Sequence, residues 1–390
     1  MLEKSLKLVF ILTTVIVFAG CQKMNNTSQE RNLRDVIGVS HVIGRYYFTK
    51  EDFLNEGADE ILGLGSRVIK VWFYNAEETP DIMYPYNSQW PKVSSLVEGA
   101  KVPYWKTFFD KPFSTFLIYH QSMGVPSYYF AKGITDEHAA EDMRQTYELA
   151  KYFLTEYKNT GKTFIFCSSE LDWHIKDKAD PNCETQPERF GYTIKWLNAR
   201  QAGVEKARLE IGMKGVKVFH SAEVVNVMKS MKQGQDNIVN KVLPFVNLDI
   251  VGYSAYDSTV YGGVRDKKDL KDTLDYIAKN AVKSKYFGEK NVFIAEYGIP
   301  ENEFSQDDVK KLTENVIKTG LEWGCPYIVH WQLYCNEPKT PYRVPYTEFK
   351  NSPSWNNAEF RGFWLIRGDG SRNYTYNYLK ELCMTGKLPE

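Results

Sequence analysis

Excess charge of either sign is missing from this chain of 390 residues, in which lysine plus arginine and aspartate plus glutamate number 49 each. No basic run interrupts that balance, so nothing attracts a phosphate backbone and nucleic acid is not expected as a partner. Metal-ligand spacings are also missing: there is no CxxC or HExxH, and the six histidines are scattered, so neither a metal nor another cofactor is expected. No G-x-G-x-x-G follows the first β-like run and no G-x-x-x-x-G-K-[ST] occurs, which removes support for a nucleotide-binding open sheet. Internal repeats and low-complexity blocks are absent.

An apolar run long enough to span a bilayer is missing at the N-terminus as well. Leu8 to Ala19 is twelve residues, too short for about 30 Å of hydrocarbon at 1.5 Å per residue. Lys4 and Lys7 precede it and Phe18-Ala19-Gly20-Cys21 follows, a pattern that reads as a bacterial lipoprotein signal. The expectation is a signal peptide over 1–20, cleavage before a lipidated Cys21, and a disordered polar tether over 21–35. The protein would then sit in the bacterial cell envelope, held to a membrane by its N-terminal lipid and facing the periplasm or cell surface. Cys167, Cys183, Cys325, Cys335 and Cys383 are left, an odd number whose pairing the sequence leaves open.

What is present is apolar and aromatic. A 43% apolar content over this length can bury one large core, so residues 36–390 are expected to form a single domain, as a monomer. Nine tryptophans and 26 tyrosines offer flat rings for sugar faces, although most are expected to fill the core. From residue 36 onward, β-like runs alternate with amphipathic stretches. The β-like runs fall at 36–42, 67–73, 114–121, 163–167, 216–223, 248–257, 291–298 and 327–334. Helical patterns fall at 50–64, 136–159, 187–212, 224–240, 267–283, 306–323 and 374–383. Eight strands separated by helices predict an α/β fold, a closed (β/α)8 TIM barrel. Two long segments, 74–113 and 335–362, would be loops on the carboxyl-terminal rim, where such barrels keep their active sites.

Two of these strands end in an acid. NVFIAEYGIP presents Glu296 after an apolar run, and TFIFCSSE presents Glu170. If these are strands seven and four, both carboxyls project at the barrel mouth, as retaining glycoside hydrolysis requires of its acid/base and its nucleophile.

On these residues the chain resembles clan A of the retaining glycoside hydrolases, barrels related to cellulases and β-mannanases, over roughly residues 36 to 385. Glu296-Tyr297-Gly298 matches the clan's E-x-G nucleophile segment, and Trp331 in HWQLY matches its sugar-floor tryptophan after strand eight. The segment FWLIRGDGSRNYTY (363–376) is similar to the clan's return into its last helix. The resemblance implies that Glu170 is the acid/base and Glu296 the nucleophile. It also implies sugar contact by Ser169, where many members have asparagine, and by the strand-three histidine His120. Lys70 takes the place of an arginine near the nucleophile.

Tyr256 is read as a hydrogen-bond partner of the nucleophile, Tyr253 as barrel filling, and Trp173 as either a stacking ring or a cover over an apolar gap. His41 and His220, also at strand tips, have weaker precedent. Asp172, Glu223, Asp257 and Glu337 are read as solvated loop charges, and WLNARQAGVEKAR (196–208) as an amphipathic helix with surface or helix-contact charges. The expected activity is hydrolysis of a β-linked poly- or oligosaccharide with retention. The alternative is a non-catalytic, membrane-tethered glycan-binding protein.

Overall fold

The computed structural model describes residues 32–389 except 75–79, 178–181, 262–266 and 340–355. The signal peptide, Cys21 and the tether through residue 31 lie outside them. Residues Leu33–Asp35, read as the end of the tether, form a 3-10 turn instead. Asn32 caps that turn and Leu33 is buried against the core.

Eight parallel strands close in chain order into a barrel. They are β1 (Ile37–Ser40), β2 (Val68–Tyr74), β3 (Thr115–His120), β4 (Thr163–Cys167), β5 (Lys217–Val224), β6 (Ile250–Ser254), β7 (Val292–Tyr297) and β8 (Ile328–His330). The chain is therefore a (β/α)8 TIM barrel, and the strands read as near-continuous apolar runs because both of their faces are buried. Period-two alternation separates those faces. Val68, Leu117, Ile165, Phe219, Ile250, Phe293 and Val329 pack together inside the barrel. Ile69, Phe116, Ile118, Phe164, Phe166, Val218, Val251 and Ile294 pack outward against the helices.

The connecting helices are α1 (Phe53–Leu64), α5 (Asp136–Glu156), α7 (Pro187–Ile211), α11 (Lys267–Asn280), α12 (Gln306–Trp323) and the last helix, α13 (Tyr374–Thr385). Their ends follow local chemistry. Asp52, Thr135 and Ser305 cap the first turns of α1, α5 and α12, and Gly65 and Gly324 close α1 and α12 in the left-handed conformation. The helix expected over 224–240 divides at Gly234 into α8 (Val227–Gln233) and α9 (Ile238–Lys241).

The long segment after β2 is not simply a loop. It contains α2 (Pro80–Met83), α3 (Leu96–Lys101) and α4 (Pro103–Asp110). In α4 the spacing of Trp105, Phe108 and Phe109 buries one helical face among Phe73, Phe116 and Phe153. Most of the aromatic content is accounted for by packing of this kind. Cys167, Cys183, Cys335 and Cys383 are free thiols. Among the described residues, no helix is long and apolar enough to cross a membrane.

Candidate active site

Above the apolar plug the same inward positions turn polar. Counting by twos from Val68 reaches Lys70 and then Trp72, and counting from Phe219 reaches Ser221 and Glu223. β7 breaks this count. Ala295 lies in the inner cluster, yet the next side chain, Glu296, also reaches Lys70 inside the barrel. The pairing of β7 with β8 shifts register between Ile294 and Tyr297, and that with β6 shifts between Tyr253 and Ser254. A shift of this type re-aims one side chain, and here it turns Glu296 inward while Tyr297 packs on the outer face.

Lys70 Nζ donates to Glu296 Oε1 and to Glu223 Oε2, each at 2.7 Å. Its side chain is 2% exposed and that of Glu223 1%. Burial works against the Lys70 ammonium, but the two carboxylates outweigh it and hold it charged. On the other side of the nucleophile candidate, Ser254 Oγ and Tyr256 OH each stand 3.4 Å from Glu296 Oε2.

Glu170 follows β4, leads into the one-turn helix α6 (Leu171–His174), and pairs through its backbone with Glu223. Burial, then the charge of Glu296 and more weakly that of Glu223, push its carboxyl up to about 8 against a hydrogen bond from Ser254. Burial and Glu296 also raise Glu223, to about 7, against the pull of Lys70. Two carboxylates thus hold the ammonium, and a third carboxyl, Glu170, stands beside Glu296.

Glu170 and Glu296 line one cleft of about 570 Å³ at the carboxyl-terminal end of the barrel. Ser169, Trp173, Tyr256 and Trp331 line it too, joined by Trp72, Tyr261, Glu337, Arg361 and Phe363. The rings of Trp72 and Trp331 are 6.3 Å apart, and Trp72 packs edge-on against Tyr119. Gly298 is required by a close approach, because a Cβ there would lie 2.4 Å from the Trp331 carbonyl oxygen. Ser169 Oγ lies 3.3 Å from His174 Nε2, and the His174 ring stacks on Tyr128 at 3.4 Å. Burial lowers His174 to about 4, which keeps the ring neutral.

The other candidates lie elsewhere or act differently. Lys70 does not line the cleft and touches Glu296 from below. His120 faces outward and is fully buried, where Arg200 of α7 donates to its ring and carbonyl and Phe166 packs edge-on. The sugar contact expected of it does not fit this position. Nor is Arg200 a surface group, since it is fully buried, while Arg208 of the same helix is buried on Asp249. His41 and His220 are likewise buried, on Phe53 O and Gln201. Tyr253 fills the wall and donates to Asp257.

Of the four acids read as solvated, Asp172 and Glu223 are buried, while Asp257 and Glu337 are half-buried on the cleft wall and held by partners. Asp172 accepts the backbone N–H groups of Val225 and Ile238, Asp257 that of Met228, and Glu337 is held by Arg361 at 2.7 Å on the cleft wall. Glu223 is the largest departure, because it belongs to the charged cluster itself. Among the described residues, no group of three or more His, Cys, Asp or Glu is arranged to hold a metal ion.

No family model and no curated protein matches the chain. Solved structures do match its fold. An exo-β-1,4-mannosidase from Opitutaceae bacterium strain TAV5 aligns with a TM-score of 0.52 at 12% identity, over 90% of this chain and 59% of its own. A family 39 glycoside hydrolase from the gut symbiont Bacteroides cellulosilyticus gives 0.52 at 11% identity, over 91% and 64%. GH5_18 from Streptomyces cattleya, in complex with GlcNAc, gives 0.51 at 11% identity, over 86% and 76%. This chain therefore spans about three-fifths of the length of the first two. These structural neighbours are glycoside hydrolases, and at such identity the likeness establishes the barrel they share.

Proposed function

We propose that the protein is a retaining glycoside hydrolase acting on a β-linked glycan by double displacement. The observation that carries this reading is the pairing, in one aromatic-lined cleft, of a carboxyl raised to about 8 with a carboxylate bonded to a buried ammonium. The carboxyl whose burial and neighbours keep its proton is the acid, and the one bonded to the buried ammonium is the nucleophile. Glu296 attacks the anomeric carbon, and the glycosidic bond breaks with its electron pair going to the departing oxygen. That oxygen takes the proton of Glu170. Water then attacks the same carbon and gives a proton back to Glu170, while the ester bond breaks toward Glu296.

Glu170 and Glu296 line the same cleft, and Ser254 contacts Glu296 at 3.4 Å. The separation of the two carboxyls sets the stereochemical outcome. Direct attack wants roughly 5 to 5.5 Å, whereas an inverting pair stands about 6.5 to 9.5 Å apart to admit water. Trp331, Trp173 and Trp72 would stack the sugar.

The test is a panel of plant, algal and host glycans presented to the purified barrel and to Glu170→Gln/Glu296→Gln. The reading expects release of sugar by the wild type alone. A panel left intact by the wild type would remove it.

We further propose lipidation at Cys21, on the strength of the motif ending Phe18-Ala19-Gly20-Cys21. Cys21→Ser is expected to move the protein from the membrane to the soluble fraction, and continued membrane association would refute the anchor.

A further inference from the structure

The double displacement uses two carboxyls, and Glu223 is neither of them. It does not line the cleft, so it meets no substrate. Its Oε2 nevertheless lies as close to Lys70 as the Oε1 of Glu296 does, 2.7 Å, and its own Oε1 is buried with no partner. The Glu223 backbone N–H donates to Ser168 Oγ at 2.9 Å, which fixes the strand at this point. A buried carboxylate beyond what neutralises the ammonium is unfavourable for stability alone. Chemistry supplies a reason for it. When Glu296 becomes an ester it gives up its negative charge, and an ammonium paired only with Glu296 would be left buried and alone.

We infer that Glu223 is a positioning residue that keeps Lys70 charged and aimed at Glu296 through both halves of the double displacement. The inference rests on the hydrolase reading. With both carboxylates ionised the cluster carries one excess negative charge, and in the glycosyl-enzyme Lys70 and Glu223 balance one to one. The ammonium is then already in place when the Glu296 carboxylate reforms. The titratable or charged groups around Glu223 are Lys70 from β2, Cys167 from β4, Glu170 beyond β4 and Glu296 from β7. Behind Cys167 lies the guanidinium of Arg200 from α7. Beside Glu296 are Tyr256 and, past it, Glu337.

The experiment compares Glu223→Gln and Glu223→Asp with wild type on an unactivated phenyl β-glycoside of the sugar found by the panel, whose leaving group needs the Glu170 proton. In Glu223→Gln one negative charge next to both Glu296 and Glu170 is gone. The alkaline limb of the kcat/KM profile, set by Glu170, should therefore move to lower pH, by about one unit, with KM changed less than twofold. Glu223→Asp, which keeps the charge, should hold the wild-type profile. A Glu223→Gln profile that superimposes on wild type, with only a lower Tm, would make the role structural and overturn the inference.

A second readout needs no substrate. Carbon-13 NMR of glutamate-labelled protein should show the carboxyl step that disappears in Glu170→Gln moving to lower pH in Glu223→Gln, and an unmoved step overturns the coupling. A moved step in a protein that cleaves no glycan would overturn the hydrolase reading while leaving the Glu223–Glu170 coupling standing.

Discussion

The two ends of this barrel carry cavities of similar size, about 570 Å³ at the carboxyl end and about 490 Å³ at the amino end. Each adjoins a buried cation. At the amino end Arg208 meets Asp249 at 2.9 Å, one charge against one, and Asp249 also accepts the His220 backbone N–H. At the carboxyl end Lys70 faces Glu223 and Glu296 together, with Glu170 close by. The amino-end cavity is lined by Tyr286 among aliphatic and charged side chains, the carboxyl-end cleft by several tryptophans and tyrosines. Size therefore does not separate a site from a dent. Cancelling charges hold a fold, and charges that do not cancel leave groups with displaced proton affinities, which acid–base chemistry needs.

The sharpest way to break this contrast is to remove one group at each end. Glu296→Ala should lower kcat/KM by about 10⁴-fold or more, and azide should restore turnover with inverted product. Arg208→Ala should leave kcat/KM of the folded protein within about twofold and lower only its stability. Next in size, Glu170→Gln should slow cleavage of the natural glycan by about 10³-fold while sparing dinitrophenyl glycosides, whose leaving group needs no proton. The same group sets a pH limit. A carboxyl held at about 8 keeps its proton below that pH and loses it above, so turnover of unactivated glycans should fall as pH rises through about 8.

At the amino end, Asp249→Ala strands the buried Arg208 and should destabilise the protein by about 3 to 5 kcal/mol in urea unfolding, without touching the pH profile. The smallest effect expected is that of Tyr256→Phe. Loss of its 3.4 Å contact with Glu296 should lower kcat about tenfold and leave KM nearly unchanged.

Strand ends were legible in the sequence because a parallel barrel buries both faces of each strand, so an apolar run that stops on Glu170 or Glu296 stands out. The local pattern did not carry distant partnership. Glu223 closes VKVFHSAE like any rim acid, and its burial depends on Lys70, 153 residues earlier in the chain. Counting by twos from Phe219 would have placed it inside, just as counting from Val68 finds Trp72 on the cleft wall. The same count from Leu117 passes through Tyr119 and puts His120 on the outer face, toward Arg200. Glu296 is the exception. Simple alternation after Phe293 and Ala295 would send it outward, and only the register shift in β7 brings it to Lys70. The helices inside 74–113 were hidden by proline, tyrosine and tryptophan content typical of loops, although Trp105, Phe108 and Phe109 stand at helical spacing.

If Glu170 and Glu296 divide a double displacement as proposed, the first sugar released keeps the configuration of the substrate. Proton NMR of the anomeric signal, followed from the first minutes of cleavage before mutarotation sets in, distinguishes the outcomes. The β configuration of the substrate is expected to appear first in the product. Initial release of the α anomer would mean that water attacks in a single step, and would contradict the double displacement.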